Sequence, residues 1–140
     1  MRTCTRRLEF DAAHRVTRHE SKCSNLHGHR YVAEITCEAP ELDSVDRVID
    51  FGEVKRIVGG WIDDCWDHGT ILNSDDRELI ALCEKNGWRH YVMERPHEEP
   101  TAEAMSKELF HVASNLLGDK GIHVARVRLY ETPNGWAEYS

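Results

Sequence analysis

The sequence predicts an α+β domain in which an antiparallel sheet is covered by helices on one face. Three observations predict it: strand-like segments occupy both ends of the chain, helical patterns fill the middle, and the last segment has the form of a hairpin. A chain of 140 residues is long enough to bury a core of its own, so we expect one domain over residues 1–140.

Two strands are predicted in the N-terminal part of the chain, at residues 3–13 and 29–38. If the first strand continues to His14, this histidine shares a face with the alternate residues before it. The second segment is rich in β-branched and aromatic residues, which favour strands. Residues 17–26 between them are polar and irregular, as expected of a loop.

The middle of the chain has two helical patterns followed by a short strand pattern. The first helix follows Asp50, a suitable N-cap residue, although Gly59-Gly60 weakens its pattern. The second follows N-cap candidates at residues 73–75 and ends near Gly87. Residues 88–93 predict a brief strand.

The C-terminal third contains the clearest helix, which begins after Thr101 and stops at Gly118. Residues 122–131 then alternate between apolar and polar side chains. The turn residues 133–135 separate this segment from residues 136–139, and together they predict a terminal hairpin.

The charge of the chain excludes some function classes. A formal net charge of −7 argues against nucleic-acid binding, which requires clustered Lys and Arg residues. It argues only weakly against a phosphorylated substrate, because residues 15–30 form a local basic patch. The patch contains Arg15, Arg18, Lys22 and Arg30 against one acidic residue, Glu20.

Neither a disulfide framework nor a membrane location is expected. The five cysteines are an odd number and include no C-x-x-C pair. This pattern argues against a disulfide framework and also against a structural four-cysteine zinc site. No apolar run approaches the roughly 20 residues of a membrane span, and the basic N-terminus is not followed by an apolar stretch. The cytoplasm is therefore the default compartment.

The strongest chemical signal is the pair His27-Gly28-His29. Two histidines at positions i and i+2 of a strand point to the same side, so both imidazoles can bind one metal ion. His14 is the third candidate, because its strand can lie antiparallel to the second one. Three imidazoles without a fourth protein ligand are typical of catalytic zinc sites. The alternative is a set of surface or hydrogen-bonded histidines in a hairpin.

Cys23 lies four residues before His27 in a polar loop. A thiol near a metal ion and basic side chains is favoured as the thiolate, which can act as a base or nucleophile. The same spacing suits a zinc ligand, and local sequence does not separate these roles. The other cysteines are expected to be core or surface residues.

Three acidic positions have a structural alternative of equal or greater weight. Asp67 can orient the neighbouring His68, but adjacent side chains usually diverge. Glu103 follows the Thr101 cap closely, so a capping or helix-dipole role is favoured on local grounds. Glu131 can simply mark the end of its strand.

Together these motifs resemble one family, the 6-pyruvoyl-tetrahydropterin synthases. The resemblance runs from about Arg7 to Tyr139, and its motifs follow the family's order. They are Phe10–Arg15 with His14, Cys23 with His27-Gly28-His29, Asp50-Phe51, Asp67-His68, Pro100–Glu103 and Tyr130–Pro133.

The distance between Cys23 and His27 resembles the bacterial branch of this family, the 6-carboxytetrahydropterin synthases of the queuosine and 7-deazapurine pathways. Three residues separate them, whereas the animal enzymes have a longer insertion. Cys23 also distinguishes this sequence from the branch of the family in which a glutamate is the base. One departure is Ala104, where the family commonly has Asn.

The resemblance implies the tunnelling fold, a barrel of pooled sheets, and a homohexamer of two trimers with active sites between subunits. It implies conversion of 7,8-dihydroneopterin triphosphate to 6-carboxy-5,6,7,8-tetrahydropterin, with release of acetaldehyde and triphosphate. The implied roles are zinc binding by His14, His27 and His29; proton abstraction by Cys23; proton relay by Asp67 and His68 across the interface; pterin binding by Glu131, with Thr101 and Glu103 lining the pocket.

Two alternatives remain at this point. A pyruvoyl-forming synthase would have the same fold and metal but would leave the side chain of the pterin uncleaved. A non-enzymatic, zinc-stabilised oligomeric module would use Cys23 as a fourth ligand, and this would leave no open position for a substrate.

Overall fold

The computed structural model describes residues 1–140 and contains six strands and four helices. The strands are β1 (Arg2–His14), β2 (His27–Ala39), β3 (Gly69–Leu72), β4 (His90–Val92), β5 (His123–Thr132) and β6 (Gly135–Tyr139). The helices are α1 (Phe51–Val54), α2 (Gly60–Cys65), α3 (Arg77–Asn86) and α4 (Ala102–Gly118); a π-helical segment (Lys55–Gly59) joins α1 to α2, and a 3-10 turn covers Lys22–Ser24. The strand order in the sheet is β4-β3-β1-β2-β5-β6.

The long antiparallel pair β1–β2 is the centre of the sheet. Its register runs without interruption from the pair Arg2–Ala39 to the pair His14–His27. Along β1 the even-numbered residues from Leu8 onward are buried beneath the helices, and the odd-numbered residues lie on the other face. This pairing confirms the two predicted N-terminal strands and brings His14 directly opposite His27.

The sheet is mixed, whereas the sequence predicted an antiparallel one. The antiparallel prediction is confirmed for β1, β2, β5 and β6, and the predicted short strand at 88–93 is confirmed as β4. β3 was not predicted, because it is only four residues long and has no alternating pattern. It pairs in parallel with β1 over Ala12–His14 only, and β4 pairs in parallel with β3.

Three stretches of sheet edge have no strand partner in this chain: the outer side of the short β4, part of β1, and β6. On the side of β1 that faces β3, pairing is limited to Ala12–His14, so Arg2–Phe10 has no strand beside it there. At the other end of the order, β6 pairs only with β5. Unpaired edges of this kind are templates for pairing with another chain.

The helix ends largely follow the predicted caps. Asp50 and Thr101 each accept a hydrogen bond from a first-turn backbone N–H, and Gly87 ends α3 in the left-handed conformation, with φ of 67°. The cap of α3 is Asp76, just beyond the predicted residues. Gly59-Gly60 does not interrupt the first helix; the chain continues through a π-helical segment instead.

The hydrophobic core lies between the sheet and the helices. Twenty-two buried residues form one cluster, in which Phe10 stacks on Tyr31 with ring centroids 5.1 Å apart and also contacts Trp66. Because Tyr31 belongs to β2 and lies close to His14 and His29, the core directly supports that end of the sheet. None of the helices combines the length and apolar character needed to cross a membrane.

Candidate active site

Three imidazoles converge at the end of the β1–β2 pair. His14 ends β1, and His27 and His29 begin β2, so strand pairing places all three side chains on the helix-covered face. One ring nitrogen of each lies within 4.8 Å of the others. The predicted histidine cluster is therefore present as a geometric group that can hold a metal ion.

Backbone carbonyls determine which nitrogen of two of these rings points inward. The Nδ1–H of His14 donates to the carbonyl oxygen of Pro100 at 2.7 Å, and that of His27 donates to the carbonyl oxygen of Asn25 at 2.7 Å. A ring that donates through Nδ1 keeps its Nε2 lone pair for a metal. Nε2 of His14 and of His29 are buried without a hydrogen-bond partner, so these residues fit a metal ion.

The electrostatics of the cluster favour neutral rings. Burial lowers the pKa of both His14 and His29, although the nearby carboxylate of Glu131 acts in the opposite direction. The oxygens of Glu131 lie 3.6 Å from Nε2 of His29 and 3.8 Å from Nε2 of His14. Neutral imidazole is the form that binds metal, so burial prepares the rings for this role.

A cavity of about 390 Å³ opens beside the histidine cluster. Its wall contains most of the site residues that the sequence singled out: His14, Cys23, Thr101, Glu103 and Glu131. Trp136, at the start of β6, also lines it. These residues come from five separate parts of the chain, and the fold gathers them at one opening.

Cys23 lies in the short 3-10 turn between β1 and β2. Its carbonyl oxygen accepts a hydrogen bond of 2.9 Å from the backbone N–H of Val16, which ties the turn to the end of β1. Its sulfur is not among the ligand atoms that lie within 4.8 Å of one another in the histidine cluster. This arrangement favours a thiol in the cavity wall over a fourth metal ligand.

Asp67 and His68 contact each other within one chain, against the expectation that adjacent side chains diverge. Oδ2 of Asp67 accepts a hydrogen bond from Nδ1 of His68 at 2.8 Å. The contact is possible because His68 has a left-handed backbone, with φ of 58°. The pair is tied to Asp11 of β1, whose N–H donates to Asp67 Oδ1 at 3.0 Å and whose carbonyl accepts the N–H of His68 at 2.7 Å.

A single chain does not bring this pair to Cys23. His68 lines a second cavity, together with Asp11 and Arg30, whereas Cys23 lines the first. Asp11 lies on the face of β1 opposite His14, because side chains alternate along a strand. The imidazole of His68 is 76% exposed, so it is available to a neighbouring molecule.

Thr101 and Glu103 have the structural roles that their local pattern suggested. The hydroxyl of Thr101 accepts the backbone N–H of Ala104 at 3.2 Å, and Glu103 lies in the first turn of α4. Both also line the first cavity. The capping role therefore does not compete with a binding role.

Two groups that support the histidines were not identified from the sequence. Tyr31 places its hydroxyl 3.3 Å from Nδ1 of His14, and it lies two residues beyond His29 on the same face of β2. Strand alternation alone could have identified it. The carbonyl of Pro100 had no such signal, because it reaches His14 from 86 positions away in the chain.

The basic patch at residues 15–30 is mostly neutralised by carboxylates from the rest of the chain. Three of its four cations form ion pairs, and Lys22 forms none. The pairs are Arg15–Asp76 at 2.6 Å, Arg18–Glu99 at 3.3 Å and Arg30–Asp11 at 3.0 Å. Within one chain, the basic patch at residues 15–30 therefore does not form a free phosphate-binding surface.

Comparison with known proteins gives relatives over nearly the whole chain. A protein of Rickettsia felis named 6-carboxy-5,6,7,8-tetrahydropterin synthase is 42% identical, with 96% of this chain and 97% of the relative covered. A protein of Aquifex aeolicus with the same name is 34% identical, with coverage of 94% and 93%.

Solved structures have the same fold. The 6-pyruvoyl tetrahydropterin synthase of Caenorhabditis elegans matches with a TM-score of 0.73 and 20% identity, covering 99% of this chain and 94% of that one. This likeness confirms the tunnelling fold that the motifs predicted. The profile of the family described as 6-pyruvoyl tetrahydropterin synthase matches residues 3–140. The chain belongs to the 6-pyruvoyl tetrahydropterin synthase family.

Proposed function

We propose that this chain has 6-carboxytetrahydropterin synthase activity and is a zinc-dependent lyase. It converts 7,8-dihydroneopterin triphosphate to 6-carboxy-5,6,7,8-tetrahydropterin and releases acetaldehyde and triphosphate, in the synthesis of queuosine and other 7-deazapurines. One observation carries the proposal: a cluster of three inward-facing imidazoles borders, through His14, a cavity whose wall also contains a thiol and a carboxylate. The names of the bacterial relatives support the choice of this reaction within the family.

His14, His27 and His29 would hold the zinc ion. Three imidazole ligands are typical of catalytic zinc, and the buried Nε2 atoms of His14 and His29 have no other partner. When bound, zinc acts as a Lewis acid that polarises oxygen atoms of the substrate. The carbonyl of Pro100 and the hydroxyl of Tyr31 keep the ring of His14 in the orientation that this requires.

Cys23 is the base in this proposal. Its thiol lies in the cavity wall, outside the histidine cluster, and can accept a proton from the carbon side chain of the pterin. Asp67 orients His68 through Nδ1, so Nε2 of His68 is left to exchange protons with the substrate.

Glu131 binds the pterin ring. A carboxylate accepts paired hydrogen bonds from the amino group and ring N–H of a pterin, as it does from a guanidinium. Its oxygens lie within 4 Å of two histidine Nε2 atoms, so a ring held there has its side chain beside the metal centre. Thr101 and Glu103 line the same cavity and complete the ring pocket.

The site is completed by a second copy of the chain in a homohexamer built from two trimers. β1 and β6 each have an unpaired edge, and the alternating strand directions make β6 of one copy antiparallel to β1 of the next. Tyr130 of β5 pairs with both Trp136 and Val32, and Val32 pairs with Glu9. Trp136 is therefore level with Glu9 in the sheet.

This register supports a site shared between copies. If β6 of one copy pairs with β1 of the next without a large stagger, Gly135 and Trp136 lie near the level of Glu9 and Asp11 of the neighbour. Asp11 holds the Asp67–His68 pair, and Trp136 borders the cavity that contains Cys23. The pair of one copy thereby approaches the thiol of another.

The test is incubation of the zinc-loaded protein with 7,8-dihydroneopterin triphosphate, followed by measurement of acetaldehyde and of the pterin product by mass spectrometry. We expect acetaldehyde and 6-carboxytetrahydropterin in equal amounts. A pyruvoyl product without acetaldehyde would indicate the other synthase of the family. No turnover, together with a zinc ion bound by Cys23, would indicate the non-enzymatic module.

A further inference from the structure

The contact between Asp67 and His68 depends on an unusual backbone conformation. His68 has φ of 58°, in the left-handed region that only a few per cent of non-glycine residues adopt, although His, Asn and Asp do so more often than others. Such a conformation persists only where the surrounding contacts hold it. Asp11 supplies two of these contacts on the β1 side, and the segment that leads into the pair must be held as well.

The segment leading into the pair is the end of α2, and Arg89 binds it. The N–H groups of Trp66 and Asp67 both donate to the carbonyl of Ile62, at 2.8 Å each. The next two carbonyls, of Asp63 and Asp64, accept no N–H group from the helix. Nη1 of Arg89 donates to both of them, at 2.8 Å to Asp63 O and also to Asp64 O. A cation at the C-terminus of a helix is also favoured by the helix dipole.

Gly69 gives the Arg89 side chain its path to α2. A Cβ atom at Gly69 would lie 3.0 Å from Cγ and 3.2 Å from Cδ of Arg89, and 3.3 Å from the carbonyl oxygen of Trp66, all closer than atoms normally pack. Gly69 is not the left-handed residue here; His68 is. The glycine therefore serves a close approach, and its two shortest contacts would be to the side chain of Arg89. Arg89 is also tied to β3, because its carbonyl accepts the N–H of Thr70 at 3.2 Å.

The geometry points to Arg89 as a positioning residue for the Asp67–His68 pair, with Gly69 as the opening that admits it. Arg89 forms no ion pair with a carboxylate, so its charge is directed to the helix end that precedes the pair. Together with Asp11 it holds both flanks of the left-handed residue. This inference rests on the proposed function, in which His68 exchanges protons with the substrate.

The experiment measures steady-state kinetics of the zinc-loaded parent oligomer and of its variants Arg89→Ala, Arg89→Lys and Gly69→Ala. We expect Arg89→Ala to lower kcat about 10- to 100-fold, as small displacements of catalytic groups do, with KM changed less than about threefold. Arg89→Lys should restore part of this loss. The kcat–pH profile of Arg89→Ala should also differ from that of the parent protein.

A double-mutant cycle tests the role of Gly69. If the glycine serves only to admit Arg89, Gly69→Ala should lower kcat in the parent protein and have little further effect in Arg89→Ala. Arg47→Ala is the matched control, since Arg47 binds two carboxylates of an unrelated loop, and it should leave kcat and its pH profile unchanged. Should Arg89→Ala fail to assemble, Gly69→Ala and Arg89→Lys carry the same test.

Two results would overturn the inference. One is an Arg89→Ala enzyme whose kcat and pH profile match those of Arg47→Ala while His68→Ala is inactive; the proposed function would then stand without it. The other is full turnover in His68→Ala, which would remove the relay from the proposed function as well.

Discussion

The histidine cluster and the Asp67–His68 pair use imidazoles in opposite ways. His14 is 2% exposed and donates its Nδ1–H to a backbone carbonyl, which fixes a neutral ring with one lone pair for a metal. His68 is 76% exposed and donates its Nδ1–H to a carboxylate, which orients the ring and leaves Nε2 without a partner in this chain. In the proposed assembly, one chain completes the first region by itself and leaves the second to act with a neighbour.

The largest expected effect comes from removing an imidazole of the cluster. His29→Ala should reduce bound zinc from one ion per subunit to near zero, and turnover should fall by about 10³-fold or more, as expected for loss of a Lewis acid. Metal analysis and acetaldehyde release on the same preparation measure both quantities. His123→Ala, an exposed histidine paired with Glu38, should change neither. Full zinc content in His29→Ala would contradict the assigned ligand set.

Cys23→Ala should separate catalysis from metal binding. We expect zinc and the oligomer to be retained, while turnover falls about 10²- to 10⁴-fold, the usual effect of losing a positioned base. Substitution of Cys83, a buried residue of α3, should have no comparable effect on turnover. Loss of zinc in parallel with activity would instead make Cys23 a ligand.

Mixed oligomers test whether the two regions belong to different copies. Cys23→Ala and His68→Ala subunits are each expected to be nearly inactive alone. After unfolding and refolding together in equal amounts, about one quarter of the sites should combine an intact Cys23 with an intact neighbouring His68. Acetaldehyde release should recover to about that fraction of the parent rate. No recovery in correctly assembled mixtures would place both groups in one chain's site.

The histidine cluster could be predicted from sequence because it depends on local rules. An i, i+2 pair on a strand and a third histidine at the end of the preceding strand are enough to bring His14, His27 and His29 together. The cap at Thr101 and the terminal hairpin followed from equally local signals. The position of Cys23 near this cluster followed from its place four residues before His27, whereas that of Glu131 came from the family resemblance.

What the sequence did not predict depends on contacts between distant segments. The parallel strand β3 is too short to have a pattern, and the contact of Asp67 with His68 requires the conformation that Asp11 and Arg89 hold. The neutralisation of the basic patch is similar, since Asp76 and Glu99 are far from it in sequence. Local charge counts cannot include partners that only the fold supplies.

Glu131→Gln tests the carboxylate beside the histidine cluster. The change keeps the shape of the side chain but removes its charge and replaces one acceptor with a donor. We expect pterin binding to weaken about 10- to 100-fold, the effect of losing hydrogen bonds to a charged group, with thermal stability nearly unchanged because the side chain is 32% exposed. Titration calorimetry with a pterin ligand measures it. Unchanged affinity would refute the anchor role.

The smallest effect is expected in the pH dependence of stability at the Asp67–His68 pair. Partial burial tends to raise the pKa of Asp67. Three contacts together lower this pKa: the hydrogen bond from the backbone N–H of Asp11, the hydrogen bond from His68, and the charge of Arg30. The carboxylate therefore stabilises the fold above the ordinary Asp pKa of about 3.9, and this contribution is lost as pH falls through the lowered value. Denaturation of the parent and Asp67→Asn between pH 7 and pH 3 measures the difference. The difference in stability between the two proteins should shrink as pH falls. A difference that stays constant would contradict a lowered pKa of Asp67.

The unpaired edges of β1 and β6 have a consequence for how activity depends on assembly. They are different surfaces, so in the proposed assembly each contact between copies would use one edge of each kind and form one shared site. A closed ring then has as many working sites as subunits, whereas an open row always has one fewer. Ring closure therefore contributes the last site of each assembly. Activity per subunit becomes a measure of how many rings are closed, and dilution that opens rings lowers it before the subunits themselves unfold.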